Sequence, residues 1–353
     1  MDFTNVLLEW YRKNRRELPW KEYNDPYSIW VSEVILQQTR VQQGDGYFRR
    51  FIGAYPTVGH LAEAPEDDVL KLWQGLGYYS RARNMHKTAK RIMEEYGGKF
   101  PSDINQLKKL EGIGPYTAAA VASFAFGMDV PALDGNAYRI LARFFGIDMP
   151  VGTSGSKKLF TQLAGILLPR GDSASFNQAM MDFGSLVCTP HPTCTSCPMS
   201  GSCYAFLKGL TDKLPVKQVK TTTRRRYFNY LDLEYENTIV IRQRTGKDIW
   251  KGLYEFPLIE TGTPVSFEEL TQNVDFRQLT GLESFTLHDM IRLQPHKLTH
   301  QTIYPVFYKI RLNGPVSVPE KDYRIIDRKE LKNFAVSRLT EKYMDSFHNF
   351  VDL

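Results

Sequence analysis

The chain has little cysteine and no long apolar run. Its 353 residues include four cysteines, and all four lie between residues 188 and 203. Thiols spread through a secreted protein would indicate disulfides, whereas four in one short intracellular segment indicate a metal site. No apolar stretch approaches the roughly 18 residues of a membrane-spanning helix, so no membrane partner is expected.

The sequence also shows no secretory signal peptide pattern, and its net charge is modest. Its first residues alternate apolar and charged side chains without the apolar core of a secretory signal, so we expect a cytoplasmic chain. The net charge is +6 and the pI about 8.9. This suits a polyanionic partner, but many ordinary enzymes are as basic, so charge alone decides nothing.

Length and pattern predict two domains joined by a linker. Residues 1–207 are expected to be mostly helical, with one helix from Pro26 to about Gln43 behind an Asp25 cap. Residues 208–226 are expected to form a basic linker, in which three consecutive arginines suit a targeting signal or, as we prefer, a solvated run near a phosphate backbone. Residues 227–353 alternate like strands and add two helical segments, which indicates an α+β domain.

The segment LKKLEGIGPYTAAAVASFAFG predicts two helices joined by a tight hairpin. Gly112 and Gly114 flank Ile113, and glycine tolerates positive φ and a close backbone approach. Free N–H groups at the start of the second helix can bind a phosphate. A plain turn between helices has the same composition. Asp134 follows about twenty residues later at the start of another helix, where it is a candidate N-cap.

The hairpin, Asp134 and the cysteine segment together resemble the endonuclease-III superfamily of DNA glycosylases. Within it, VSEVILQQTRV and GLGYYSRARN resemble MutY-type adenine DNA glycosylases. The resemblance implies a mostly α helix-hairpin-helix domain with an iron–sulfur loop, followed by an α+β Nudix (MutT-like) domain. It implies a DNA-associated monomer that removes adenine paired with 8-oxoguanine, or guanine, in double-stranded DNA.

Breaking an N-glycosidic bond needs a neutral acid for the base and an anion beside the sugar. Glu33 has apolar helical neighbours that raise its pKa, and the resemblance makes it the general acid. Asp134 is the anion, since a helix N-terminus favours its charged form. By the same resemblance, Asn136 orients the site. Without the resemblance, Glu33 would be read as exposed and Asp134 as only a cap.

Tyr116 stands where backbone-cutting members of the superfamily have a Schiff-base lysine. We therefore expect a monofunctional glycosylase, although a tyrosine at a helix start also suits simple packing. Gln38 and Tyr78 match family residues placed at the lesion. Two rival hypotheses remain: a bifunctional oxidised-pyrimidine glycosylase with lyase activity, and a non-enzymatic iron–sulfur DNA-binding protein.

The cysteines Cys188, Cys194, Cys197 and Cys203 follow the spacing C-x5-C-x2-C-x5-C. This spacing suits either one tetrahedral zinc ion or one [4Fe–4S] cluster. The resemblance implies the cluster. The family usually has six residues in the first interval, and here the shorter loop offers His191 as its only basic side chain.

The run IVIRQRTGKDIWKGLYEFPLIE resembles the opening of a Nudix fold. The glutamate-rich metal box of Nudix hydrolases is missing, so no phosphohydrolase activity is expected. In MutY-type proteins this domain reads the base opposite adenine through a Phe-Ser-His loop. The matching residues are Leu298, Thr299 and His300, which keep an apolar wedge and a hydroxyl. The same piece also suits a surface turn before a strand.

Overall fold

A computed structural model describes residues 2–39, 41–218, 223–281, 285–315 and 322–348. The chain divides into two compact units, one of residues 1–63 with 87–220 and the other of 64–86 with 221–353. The predicted domains are continuous in sequence, whereas here residues 64–86 join the C-terminal unit. Within the described ranges, no helix is both long and apolar enough to cross a membrane.

The first 207 residues are helical, as expected. The helices are α1 (Phe3–Asn14), α2 (Pro26–Leu36), α3 (Val41–Ala54), α4 (Val58–Glu63), α5 (Glu66–Leu72), α6 (Ser80–Tyr96), α7 (Ile104–Leu107), α8 (Pro115–Phe126), α9 (Gly135–Phe145), α10 (Ser154–Leu167), α11 (Ser173–Leu186) and α12 (Tyr204–Leu207). One core of the first unit joins α1, α9, α10 and α11 through side chains such as Leu7, Ile140, Phe160 and Phe183.

Helix α2 begins where its cap predicts and ends earlier. The Asp25 carboxylate accepts the Ser28 N–H at 2.9 Å, and Pro26 takes the first helical position. The helix stops at Leu36 because Gln38 adopts a left-handed backbone with φ of 59°, so the expected continuation to Gln43 is wrong. Residues 27–35 of α2 are all buried, which makes it a central helix.

The predicted hairpin forms between α7 and α8. Gly112 has φ of 76°, which a side chain would strain. Gly114 instead has φ of −77° and ψ of 176° as the N-cap of α8, so it does not use the positive φ that glycine tolerates. The hairpin therefore depends on one left-handed glycine.

The second unit is built on an eight-stranded sheet. Its strands are β1 (Arg224–Tyr235), β2 (Thr238–Gln243), β3 (Tyr254–Glu255), β4 (Leu258–Thr261), β5 (Phe285–Arg292), β6 (His296–Lys297), β7 (Gln301–Leu312) and β8 (Tyr323–Asp327). The main order is β3-β2-β1-β7-β5, with β1 and β7 parallel and Tyr227 level with Tyr304. Helices α13 (Phe267–Thr271), α14 (Val274–Thr280) and α15 (Arg338–His348) complete an α+β unit.

Period-2 alternation gives the sheet two apolar faces. Phe228, Tyr230 and Phe307 pack with Tyr343 of α15 on one face. Leu231, Leu233 and Ile310 pack under α13 and α14 on the other.

The arginine run is part of the sheet. Strand β1 begins at Arg224, and Arg226 is buried with its guanidinium 2.7 Å from Asp248 and 2.6 Å from Glu260. The expected solvated run is therefore wrong for Arg226, because carboxylates from distant segments compensate its charge. Residues 219–222 of the predicted linker lie outside the described ranges.

Candidate active site

A cavity of about 890 Å³ in the first unit collects most of the predicted site residues. It is called the base cavity below. Its lining includes the four candidate catalytic residues together with Gln38 and both hairpin glycines, namely Glu33, Gln38, Gly112, Gly114, Tyr116, Asp134 and Asn136. Residues more than 100 positions apart in sequence thus converge on one space.

Glu33 is a buried carboxyl group. Its exposed fraction is 6%, and the Tyr116 hydroxyl donates a hydrogen bond to its Oε2 at 2.5 Å. Burial raises the pKa of Glu33 to about 7, and the nearby Asp134 charge acts in the same direction. The Tyr116 hydrogen bond works against this rise by stabilising the carboxylate. At neutral pH the group is therefore able to hold or release a proton.

Asp134 caps helix α9, as the sequence predicts. Its Oδ1 accepts the Ala137 N–H at 2.8 Å, and its Oδ2 accepts the Asn136 side-chain amide at 2.8 Å. Burial raises the pKa of Asp134, while these hydrogen bonds and the Arg139 charge lower it. The expectation that the helix end alone favours the anion is incomplete, because desolvation prevails over the donors.

Arg139 supports the Asp134 site, a role that the sequence pattern does not predict. Its Nη2 donates to the Asn136 Oδ1 at 2.6 Å and to the Gly184 carbonyl at 2.7 Å. Its Nε donates to the Cys188 carbonyl at 2.7 Å. A Cβ on Gly184 would come within 2.4 Å of Asn136, so only glycine leaves room. An arginine inside an amphipathic helix carries no sequence signal for these distant contacts.

The four cysteines have free thiols. Burial raises the pKa of the Cys188 thiol, and the Arg143 guanidinium, whose Nη1 lies 3.6 Å from its sulfur, lowers it. Arg143 also donates to the Thr189 and Pro190 carbonyls and so shapes the loop after Cys188. Among the described residues, no group of three or more His, Cys, Asp or Glu side chains is arranged around a single metal ion.

The remaining predicted site residues lie in the second unit. Tyr78, Leu298, Thr299 and His300 line a separate cavity of about 710 Å³, called the reading cavity below. The Tyr78 hydroxyl lies 3.3 Å from the Thr299 Oγ1. Tyr78 is 51% exposed and left-handed with φ of 47°, which is uncommon for a bulky residue.

The loop that carries Thr299 connects β6 to β7, and the Leu298 N–H donates to the Gln301 carbonyl at 2.8 Å. Leu298 packs against the core under the loop. The loop is therefore a tight turn that keeps the Thr299 hydroxyl exposed beside Tyr78.

Two family models match the chain. Residues 31–163 match the HhH-GPD superfamily base excision DNA repair protein, and residues 230–346 match the NUDIX domain. In structure, the chain is similar to a thermostable thymine-DNA glycosylase at 29% identity and a TM-score of 0.54. That likeness covers 58% of this chain and 95% of the other. The C-terminal residues thus match the NUDIX domain although they lack the glutamate-rich metal box of Nudix hydrolases.

Relatives match this chain over different shares of its length. An adenine DNA glycosylase of Buchnera aphidicola subsp. Schizaphis graminum is 35% identical over 98% of both chains. The human adenine DNA glycosylase is 40% identical over 58% of this chain and 39% of its own. The chain therefore belongs to the adenine DNA glycosylase family, with a helix-hairpin-helix base-excision repair domain ahead of a NUDIX domain.

Proposed function

We propose that this protein hydrolyses the N-glycosidic bond of adenine paired with 8-oxoguanine, or guanine, and leaves an abasic site in the DNA. The main support for this proposal is that the buried Glu33, whose pKa is raised to about 7, lines the same cavity as Asp134. Two carboxyl groups in different surroundings suit an acid and an anion. The protein acts as a cytoplasmic, DNA-associated monomer.

Glu33 acts as the general acid. In its protonated form it gives its proton to a ring nitrogen of the adenine while the bond from that base to the sugar C1′ breaks. The electron pair of the bond leaves with the neutral base, and the sugar becomes oxocarbenium-like. Water then adds to C1′, and the proton that it loses restores Glu33.

Asp134 stabilises the positive sugar. Its two carboxylate oxygens are held by the Ala137 N–H and the Asn136 amide, so the group is oriented before the reaction begins. A charge placed beforehand in a partly dry site stabilises developing charge without reorganisation. Arg139 is a positioning residue, because it acts on Asp134 through Asn136.

The cavity chemistry supports hydrolysis without strand cleavage. Lysine is absent from the described residues that line the base cavity, and Tyr116 uses its hydroxyl to hold Glu33. A Schiff base needs an amine. This argues against the bifunctional alternative, while the paired carboxyl groups argue against a non-enzymatic binder.

The hairpin is suited to binding the phosphate backbone of DNA. Helix α8 has Gly114 as its N-cap, and no side chain caps its first N–H groups. Such uncapped donors bind a phosphate without reading sequence. Adenine must leave the duplex to react, at roughly a few kcal/mol, and we assign Gln38 with its left-handed backbone to the space around the flipped nucleotide.

The direct test uses a duplex with one adenine:8-oxoguanine pair. We expect free adenine to appear and the strand to break only after alkali treatment, because the product is an intact strand with an abasic site. A matched adenine:thymine duplex is the control. No adenine from the mispair would refute the function, and strand breaks before alkali would refute the monofunctional assignment.

Tyr116→Phe should move the pH profile of adenine release upward. The lost hydrogen bond stabilises the Glu33 carboxylate, so its removal raises the pKa of Glu33 above about 7. The protonated acid then persists to higher pH, and the alkaline fall in single-turnover rate shifts with it. An unchanged or lowered midpoint would contradict the assigned contact.

We assign recognition of 8-oxoguanine to the reading cavity. This base differs from guanine by an N7–H donor and an O8 oxygen, so an acceptor facing N7 distinguishes them. The exposed Thr299 hydroxyl offers that acceptor, and Tyr78 holds it at 3.3 Å. Leu298 is only half-buried against the core, and we assign its exposed part as an apolar wedge beside the pair, while His300 completes the loop.

Thr299→Val should lower the preference for 8-oxoguanine over guanine while sparing the glycosidic step. Loss of one neutral hydrogen bond corresponds to about 1 kcal/mol, or roughly five-fold in selectivity. The measurement compares single-turnover rates on both mispairs. Thr286→Val, at an exposed position of β5, is the control. An equal loss on both duplexes would reject a reading role.

We also assign a [4Fe–4S] cluster to Cys188, Cys194, Cys197 and Cys203. The donor set fits, because all four thiols are free and all four take part in electrostatic interactions with one another. Arg143 beside Cys188 stabilises a thiolate. When bound, the cluster ties the loop of residues 188–203 to the helical unit.

Purified protein should contain iron and acid-labile sulfide in equal amounts. Cys194→Ser should lower both, because it removes one thiolate ligand. Elemental analysis and visible absorbance provide the measurement, with Ser196→Ala as a neighbouring control. Colourless protein that contains zinc would refute the cluster.

A further inference from the structure

Glu33 also lines a second cavity of about 630 Å³. This rear cavity is further lined by Tyr11, Asn24, Phe124, Ala174 and Ser175, and it lies within the first unit like the base cavity. Five residues line both, and they are Arg16, Leu18, Trp20, Glu33 and Gln178. The side chains around the acid, called the common wall below, therefore border both cavities.

The two cavities differ in the elements at their openings. Gly112, Gly114 and Asn136 line the base cavity and not the rear cavity. The rear cavity instead reaches the exposed residues Tyr23 and Asn24, before helix α2. Under the proposed function, DNA closes the base cavity on the hairpin side, and a base freed beside Glu33 needs another way out.

The lining of the rear cavity suits a neutral planar molecule. Trp20, Phe124 and Tyr11 contribute aromatic side chains to the lining, and the Asn24 and Gln178 amides can donate and accept hydrogen bonds. Such surfaces stack with and bind purine bases.

The charged groups of the rear cavity disfavour phosphate. Arg16 and Lys21 both pair with the buried Asp182, at 2.7 and 2.9 Å. Glu17 and Glu22 are exposed at the rim, where they outnumber Arg15, the other exposed charged residue of the described lining. These carboxylates repel a nucleotide or a DNA backbone but not an uncharged base.

We infer that the rear cavity is the exit for the free purine base while abasic DNA is still bound. This inference rests on the proposed function. The base passes the common wall when a long side chain such as Gln178 rotates, and it leaves between the start of α11 and the segment before α2. The cavity thereby separates release of the base from release of the DNA.

Ser175→Trp tests this exit. Ser175 is half-buried in the first turn of α11 and lines only the rear cavity, whereas Ser154 occupies the first turn of the equally long α10 and lines neither cavity. Enzyme in excess is mixed with an adenine:8-oxoguanine duplex labelled in the adenine. Alkali quenching measures cleavage, and rapid filtration that retains protein and DNA measures free adenine.

In the wild type and in Ser154→Trp, the two time courses should coincide. In Ser175→Trp, cleavage should be unchanged and free adenine should appear about ten-fold later or more, since the change slows dissociation only. Asn24→Trp, at an exposed rim position, should show the same delay. It replaces Ser175→Trp in the test if that variant does not fold.

Coincident time courses in folded Ser175→Trp and Asn24→Trp would overturn the exit and place release on the DNA side. A delay of equal size in Ser154→Trp would overturn it as well. No cleavage by the wild type would instead refute the proposed function, so the two failures are distinguishable.

Discussion

Replacing Glu33 by glutamine should slow adenine release by roughly 10²- to 10⁴-fold, the usual contribution of a general acid. Glutamine keeps the size of the side chain but has no proton to give to the base. In the wild type, single-turnover release should fall about ten-fold per pH unit above the Glu33 pKa of about 7, because the acid is then ionised. Glu33→Gln should lose this dependence.

The control is Glu94→Gln, at an exposed position of α6, which should keep both rate and profile. Unchanged adenine release by Glu33→Gln would reject Glu33 as the acid.

Unfolding provides a second readout for the same variant. The folded state holds the Glu33 proton up to about pH 7, whereas the unfolded chain loses it near 4.5. The folded form binds more protons in this window, so this group makes the free energy of unfolding fall by about 3 kcal/mol as pH rises through it.

Urea unfolding should therefore show Glu33→Gln gaining stability over the wild type between about pH 4 and pH 8. Such a gain would show that a loss of activity is not a loss of folding. A stability difference that does not change with pH would contradict the burial of an ionisable Glu33.

Asp182→Asn should destabilise the first unit by about 3 kcal/mol. The Asp182 side chain is fully buried, and it accepts from Arg16 Nε at 2.7 Å and from Lys21 Nζ at 2.9 Å. Asparagine keeps the volume but leaves two cations without a countercharge. Because Arg16 and Lys21 keep 22% and 18% side-chain exposure, we expect the lower end of the range for broken buried pairs.

The matched control is Asp45→Asn on the surface of α3. Asp45 pairs with Arg49 at 2.8 Å, but both side chains are largely exposed, so the loss should stay near about 0.5 kcal/mol. Urea unfolding of both variants gives the comparison. Equal losses would show that burial does not strengthen the Asp182 cluster.

Local features of this protein can be predicted from neighbouring residues alone. The Asp25 and Asp134 caps start their helices as predicted, and period-2 alternation predicted β1, β2 and β7. Helix caps and strand alternation depend on residues only a few positions apart, so a short stretch of sequence is enough to predict them. The clustered cysteines and the family-like motifs around Glu33 and Tyr116 could be recognised for the same reason, because each lies within a short stretch of sequence.

The contacts between these distant segments depend on long-range packing. Glu33 and Tyr116 are 83 positions apart, and only packing brings them to 2.5 Å. In sequence, Arg139 and Arg226 resemble ordinary charged residues. In the folded chain, Arg139 donates to a distant carbonyl and Arg226 pairs with a distant carboxylate. Gln38 ends α2 against its helical pattern because its backbone is left-handed, with φ of 59°. Long-range contacts set such features, and a linear pattern contains no information on them.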